Sequence, residues 1–365
     1  MNPESKIVEA ENLRVIRGKV EVLHIPSFFL GDREILSLIG PNGSGKSTFL
    51  LALNCLIKPH TGRIIFRGQE IASNQAAFEY RRRIAMVFQE PLLFDTTVFG
   101  NVAAGLKIRG MPREAIKHKV MASLERFNIV HLADRSARKL SGGEAQRTSM
   151  ARALAIDPEV IFLDEPFAAL DPPTRQSITD DMERIIRETG IAALLVTHDE
   201  SEALRLSDRI MVMHSGKIVQ TGLPAEVMDH PVNRFVAKFV GMESIIPGTV
   251  LTNTEGTVII TIHGGTIEAL GEKGPGEKVF CGIRPENVII DRSHPDKQVN
   301  STNVFSAKVS GIATIGPFLK VHLDCGFPLV SYVTRGAFAR LKLTVGEKIF
   351  ASFKASAVHL IARKN

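Results

Sequence analysis

Residues 40–48 read Gly-Pro-Asn-Gly-Ser-Gly-Lys-Ser-Thr, a complete G-x-x-x-x-G-K-[ST] loop, and no other stretch constrains the fold so tightly. An apolar run, Ile35-Leu-Ser-Leu-Ile39, precedes it, and another, Phe49-Leu-Leu-Ala-Leu53, follows. The expected form is a buried strand that delivers a glycine-rich turn into a helix. In that form Gly40, Pro41, Asn42, Gly43, Ser44 and Gly45 wrap backbone N–H groups around phosphate, and the helix adds its positive N-terminal end. Lys46 reaches the β- and γ-phosphates, Ser47 offers its hydroxyl to Mg²⁺, and Thr48 stands beside it in the first turn. The nucleotide implied is a triphosphate, and the surrounding fold is an α/β P-loop NTPase core.

The second half of such a site is spelled 120 residues later. Val160-Ile-Phe-Leu-Asp-Glu165 is a four-residue apolar strand with Asp164 and Glu165 at its carboxyl end, where ligands of α/β sheets bind. Asp164 suits the Mg²⁺ shell, and Glu165 is placed to polarise an attacking water. Further short apolar runs (Ile84–Phe88, Ala192–Thr197, Ile210–Met213) alternate with helical stretches through residue 240. Between Phe94 and Leu140 the pattern is mostly helical, with Pro112 at a helix start, so a helical subdomain over about 93–142 is expected. A third element, Leu140-Ser-Gly-Gly-Glu-Ala-Gln-Arg147, leads into a helix. Ser141 with Glu144 forms a capping box there, and Ser141, Gly142 and Gly143 supply a second set of helix-start donors. One chain thus carries two anion cradles.

These motifs resemble those of the ATP-binding subunits of ABC transporters, continuously from residue 6 to 240. Gln89 in Phe88-Gln-Glu-Pro91 matches the Q-loop glutamine, which the family uses as a link to the helical subdomain and in the metal shell. Leu140–Gln146 matches the signature, with Glu144 where many members carry Gln. Ala168-Ala-Leu-Asp171 matches the D-loop, and His198 in Val196-Thr-His-Asp199 the switch histidine that contacts the γ-phosphate. The resemblance implies ATP and Mg²⁺ as cofactors. It also implies a RecA-like core and a head-to-tail homodimer, in which each ATP lies between one copy's Lys46 loop and the other's Ser141-Gly142-Gly143. The family usually stacks adenine on an aromatic residue some two dozen positions before the loop. Here that stretch is Arg14-Val-Ile-Arg-Gly18, so Arg17 becomes the candidate platform as a planar cation.

After Gly241 short β-branched segments separated by glycines predict an all-β domain over 241–365. Gly276-Glu-Lys-Val-Phe and Gly346-Glu-Lys-Ile-Phe lie 70 residues apart, with Arg284 facing Lys354, which suggests two related OB-like units. Residues 302–363 resemble the oxyanion-binding barrel of molybdate and tungstate importers, and 243–290 the generic C-terminal barrel of sulfate, sugar and polyamine importers. The implied regulatory oxyanion would meet Ser331, Thr334, Lys354, Ala355 and Ser356 at a contact between two subunits. The implied partners are two transmembrane permease subunits and an extracytoplasmic substrate-binding protein, with this chain peripheral on the cytoplasmic face of the cell membrane. The longest apolar runs fall far short of the roughly 18 residues that span a bilayer, and the first residues lack a signal-like apolar stretch. Three scattered cysteines show no zinc or disulfide spacing. Net charge is +6, of which +4 falls in 241–365, mild enough to suit anions without indicating a nucleic-acid surface. Phe305, Phe318, Phe327, Phe338, Phe350 and Phe353 occur in apolar or alternating contexts, as barrel core rather than base-stacking platforms, so no nucleic acid is expected.

Overall fold

The computed structural model describes residues 5–294 and 302–363. It divides into two compact units, Met1–Pro224 and Ala225–Asn365. In the first, a six-stranded sheet runs Lys217–Gly222, Arg209–His214, Ile35–Ile39, Ala192–Thr197, Val160–Asp164, Ile84–Val87. The last five are parallel, and Lys217–Gly222 adds an antiparallel edge. Their sequences are apolar at nearly every position because both faces are covered. Ile161, Leu163, Ala193 and Leu195 enter one core cluster, while Val160, Phe162, Leu194 and Val196 enter another. Full burial of side chains such as Phe162 and Leu194 stabilises the core by about 1.5–3 kcal/mol each.

A second sheet was not evident in the α/β rhythm. Lys6–Arg17 and Val20–Gly31 form an antiparallel hairpin, extended by Thr61–Phe66 and Gln69–Glu70. Gly18, at φ 63, makes the two-residue turn that twists with the strands. One face of the hairpin (Val8, Ala10, Leu13, Leu23, Ile25) closes over the same cluster as Phe49 and Leu50 of the loop's helix. The hairpin's tip is therefore held close to the glycine-rich loop. The helical insert comprises Val98–Ile108 and Arg113–Arg126, with Pro112 at the N-cap of the second. Val98, Val102 and Leu106 meet Ile116, Val120 and Leu124, two stripes at four-residue spacing, in the cluster that also contains Met150 and Leu154.

The second unit contains two five-stranded sheets around one core. One runs Gly265–Leu270, Thr257–Ile262, Ser244–Thr254, Lys278–Ile283, Val358–Ala362. The other runs Pro328–Thr334, Phe318–Asp324, Thr302–Ile315, Lys348–Lys354, Ile289–Asp291. The segments 70 residues apart take the same local form: a strand, then a 3₁₀ turn (Pro285–Asn287 and Ala355–Ala357), then another strand. Those final strands are exchanged. Val358–Ala362 pairs with Lys278–Ile283, and Ile289–Asp291 pairs with Lys348–Lys354. Phe305 packs edge-on to Phe327 and stacks on Phe353 in the core, as the alternating pattern predicts. Phe318 differs: it is 41% exposed and stacks on Tyr332.

Candidate nucleotide site

Ile35–Ile39, Ala192–Thr197, Val160–Asp164 and Ile84–Val87 are successive neighbours in the parallel sheet, and each delivers one motif at its carboxyl end. These are the Lys46 loop, His198, Asp164 with Glu165, and Gln89, in that spatial order. The loop needs its glycines for two distinct reasons. Gly45 and Gly43 have φ of 105° and 78°, the left-handed region that side chains resist. At Gly40 an added Cβ would lie 2.3 Å from the Met213 carbonyl oxygen. The helix Lys46–Leu53 starts at once, so its free N–H groups face into the loop.

Lys46 is 5% exposed, and its ammonium donates to the Gly40 carbonyl at 2.8 Å and the Pro41 carbonyl at 3.2 Å. It lies 4.0 Å from a Glu165 carboxylate oxygen. Burial lowers its pKa, and the Glu165 and Asp164 charges oppose that shift. Ser47 Oγ donates to Asp164 Oδ1 at 3.2 Å. Burial raises the Asp164 pKa against that hydrogen bond and the Lys46 charge. His198 Nδ1 is 3.0 Å from Glu165 Oε2. Glu165 itself sits at φ 45, a left-handed conformation costing a non-glycine residue about 1–2 kcal/mol. Its N–H donates to the Val196 carbonyl at 2.9 Å, which ties it to the neighbouring strand.

Arg17, Asn42, Lys46, Ser47, Gln89 and Glu165 all line one cleft of about 640 Å³, with Gly43, Gly45 and Thr48 in its wall. Arg17 stands at the hairpin tip, its backbone paired with Val20, which is 64% exposed, and its side chain has no ion pair or hydrogen bond among the described residues. Ser44 Oγ is buried and has no hydrogen-bond partner among the described residues, which fits an oxygen ligand in the loop. The Ser47 and Asp164 oxygens, with Gln89 in the same cleft, form a hard-donor set suited to Mg²⁺ shared with phosphate. Among the described residues no group of three or more His, Cys, Asp or Glu could hold a metal by itself.

The residues of the other cradle are elsewhere. Ser141, Gly142 and Gly143 open on a separate cleft of about 700 Å³, which includes Asp171, Thr174 and Ser177 and no residue of the Lys46 cleft. The capping box is complete: Glu144 N–H donates to Ser141 Oγ at 3.3 Å, and Ser141 N–H donates to Glu144 Oε2 at 2.8 Å. The Ser141 N–H bond is the main cause that lowers the Glu144 pKa.

Two supports escaped the sequence reading. Asp199 accepts from Ser201 and Glu202 N–H groups, capping the helix Glu200–Leu206 directly after His198. Thr197 Oγ1 donates to the buried Glu202 carboxylate at 2.6 Å. The acidic residues following His198 were the available signal, since they match a helix start.

The residues expected around an oxyanion are dispersed within one chain. Ser331 Oγ donates to the Val288 carbonyl at 2.6 Å, 1% exposed, and Thr334 Oγ1 caps the helix Arg335–Leu341. Lys354 pairs with Thr302 at one end of the long strand, whereas Thr334 pairs with Phe318, at its other end. Ser356 lies in a cleft with Lys273, His230 and His359. Arg284, the partner position of Lys354 in the repeated segment, is structural: it donates to the Val240 and Met228 carbonyls.

A phosphate loop, strand-end carboxylates and a switch histidine on one sheet, with a second cradle in a separate cleft, define an ATP-hydrolysing P-loop protein of the transport type. The chain belongs to the ABC transporter family: it is the ATP-binding subunit of an importer, an ATPase, with a C-terminal TOBE domain. The family model "ABC transporter" matches residues 23–168, and the model "TOBE domain" matches residues 301–360. The chain is 38% identical to the molybdate/tungstate import ATP-binding protein WtpC of Pyrococcus horikoshii, over 92% of this chain and 94% of that protein. It is 34% identical to the sulfate/thiosulfate import protein CysA of Thermosynechococcus vestitus, over 94% and 95% respectively. With the spermidine/putrescine import protein PotA of Ruegeria pomeroyi it shares 33% over 98% and 97%. A dimeric ATP-binding cassette solved in a post-hydrolysis state with ADP and Pi superposes with a TM-score of 0.55 and 28% identity, covering 60% of this chain and 99% of that one.

Proposed function

We propose that this subunit drives uptake of a tetrahedral oxyanion, molybdate or tungstate, and that Glu165 polarises the water that attacks the γ-phosphate of ATP. The observation carrying the catalytic part is the convergence of Glu165, His198 and Lys46 within 4.0 Å contacts at the end of one sheet. Lys46 then neutralises the phosphate charge, His198 holds the Glu165 carboxylate in place, and Gln89 closes the far wall of the cleft. Mg²⁺, held by Ser47 and Asp164 with Gln89 beside them, would neutralise charge on the phosphate oxygens. The separation of the two clefts supports a head-to-tail homodimer, in which Ser141, Gly142 and Gly143 cover the partner's nucleotide. Leu92 and Phe94, 57% and 56% exposed in the loop after Gln89, suit a pair of transmembrane permease subunits. No helix among the described residues is long and apolar enough to cross a membrane; by its likeness to importer ATP-binding proteins this chain would sit peripherally on the cytoplasmic face.

At the base end of the cleft, Arg17 and Val20 offer a planar cation and an aliphatic surface, which either purine face can cover. GTP is therefore expected to be hydrolysed with a kcat/KM within about tenfold of that for ATP, and Arg17→Ala to weaken both by a similar factor, about fivefold for ~1 kcal/mol. Steady-state kinetics with both nucleotides checks this. A discrimination of a hundredfold would mean that the base is read by other groups.

The oxyanion reading rests on the likeness to WtpC through both units, with Lys354, Ser356 and a +4 charge balance in 241–365. Because the hydroxyls of Ser331 and Thr334 are engaged within the chain, the regulatory ion would meet groups from two copies. Calorimetric titration of the full chain with molybdate, tungstate, sulfate and spermidine is the test. Heat with molybdate and tungstate, and slowed ATP turnover at the same concentrations, is the expected outcome. Heat with spermidine alone would move the substrate to polyamines.

A further inference from the structure

The Glu165 carboxylate can act only if its strained backbone is held, and one of the groups holding it comes from an unexpected element. Glu165 N–H is bound by the Val196 carbonyl at 2.9 Å, and the Glu165 carbonyl accepts from Ala168 N–H at 3.3 Å. The next residue is Pro166, which has no N–H, and its carbonyl accepts from the Gln146 side-chain amide at 2.7 Å. Gln146 is 2% exposed and lies in the second turn of the helix Gly142–Leu154. The same helix is pressed onto the segment that follows Glu165 at two more points. A Cβ on Gly143 would lie 2.6 Å from Thr174 Cγ2, and Arg147 forms an ion pair with Asp181 and donates to Ser177.

We infer that Gln146 is a positioning residue: its amide pins the Pro166–Phe167 peptide one residue beyond Glu165, keeps that carboxylate aimed at His198 and Lys46, and ties this aim to the helix that begins at Ser141. Without the amide, the Pro166 carbonyl loses its buried donor and the turn is free to relax from its left-handed conformation. In the head-to-tail arrangement proposed above, on which this second link rests, the helix start touches the partner's nucleotide. The Gln146 amide would then carry the state of one site to the catalytic glutamate of the other.

The test uses the full chain with Gln146→Met, which keeps length and volume but removes the donor. Gln146→Asn, which keeps an amide one methylene too short, serves if the Met variant does not fold. The expected result is a kcat at least about tenfold lower, with ATP affinity and thermal midpoint close to wild type. In a Glu165→Gln background, ATP-driven dimerisation should survive Gln146→Met, because the helix start still grips. A kcat within twofold of wild type in the folded variant would overturn the inference. So would loss of the ATP-driven dimer, which would place the effect in the helix start instead. An active Glu165→Gln variant would remove the assignment of Glu165 itself; an inactive one beside a normal Gln146→Met would remove only the role of Gln146.

Discussion

Glu165→Gln is expected to lower ATP turnover by about 10²–10³-fold while ATP affinity stays within about twofold of wild type. The amide is nearly isosteric, so the backbone ties to Val196 and Ala168 are unaffected, and the Lys46 loop keeps its grip on phosphate. What disappears is a carboxylate able to take a proton from water. Because bound ATP would no longer be consumed, the variant should accumulate as an ATP-bound dimer. Size-exclusion chromatography with and without ATP, beside a phosphate-release assay, reads both effects. Turnover near the wild-type rate would show that another group polarises the water.

Ser141→Arg and Lys46→Ala should each nearly abolish hydrolysis alone and yet rescue one another when mixed. The arginine fills the helix start at Ser141, and the alanine removes the ammonium that spans the Gly40 and Pro41 carbonyls. If each site takes one cradle from each copy, a mixed dimer has one site with both defects and one with neither. Half the dimers in an equal mixture are mixed, so independent sites would recover roughly a quarter of the wild-type rate. Activity assays on the single variants and on their mixture decide it. Absence of any rescue, with dimers shown to form, would mean that both cradles act on a nucleotide within one chain.

The nucleotide site was legible because its chemistry is spelled in contiguous words. A glycine-rich loop between apolar runs, or two carboxylates after four apolar residues, states its own geometry, and the sheet needs only to bring the strand ends together. The antiparallel hairpin Lys6–Arg17/Val20–Gly31 was not legible. Its first strand reads exposed, buried, buried, half-buried and so on, with register shifts near Lys6 and Val15 that break a clean alternation. Arg17 could be singled out from its distance before the loop, but its place at the hairpin tip depends on that pairing. The surroundings of the residues expected around an oxyanion were less legible. Ser331 and Thr334 have the right donors, but their partners, Val288 and Ala337, could not be read from composition. A hydroxyl's availability is a tertiary property. Strand exchange in the C-terminal unit is equally invisible, since Lys278–Ile283 and Lys348–Lys354 read alike and neither states which final strand it pairs with.

That exchange makes the C-terminal unit behave like a swapped dimer written into a single chain. Each half finishes the other's sheet, so a truncation before Val358 would expose the Lys278–Ile283 edge of a sheet whose other strands lie some hundred residues earlier. Removal of Ile289–Asp291 would likewise leave the Lys348–Lys354 edge unpaired, so each half holds a strand the other's sheet needs. A ligand bridging the two sheets would therefore act on strands drawn from both halves of the unit at once.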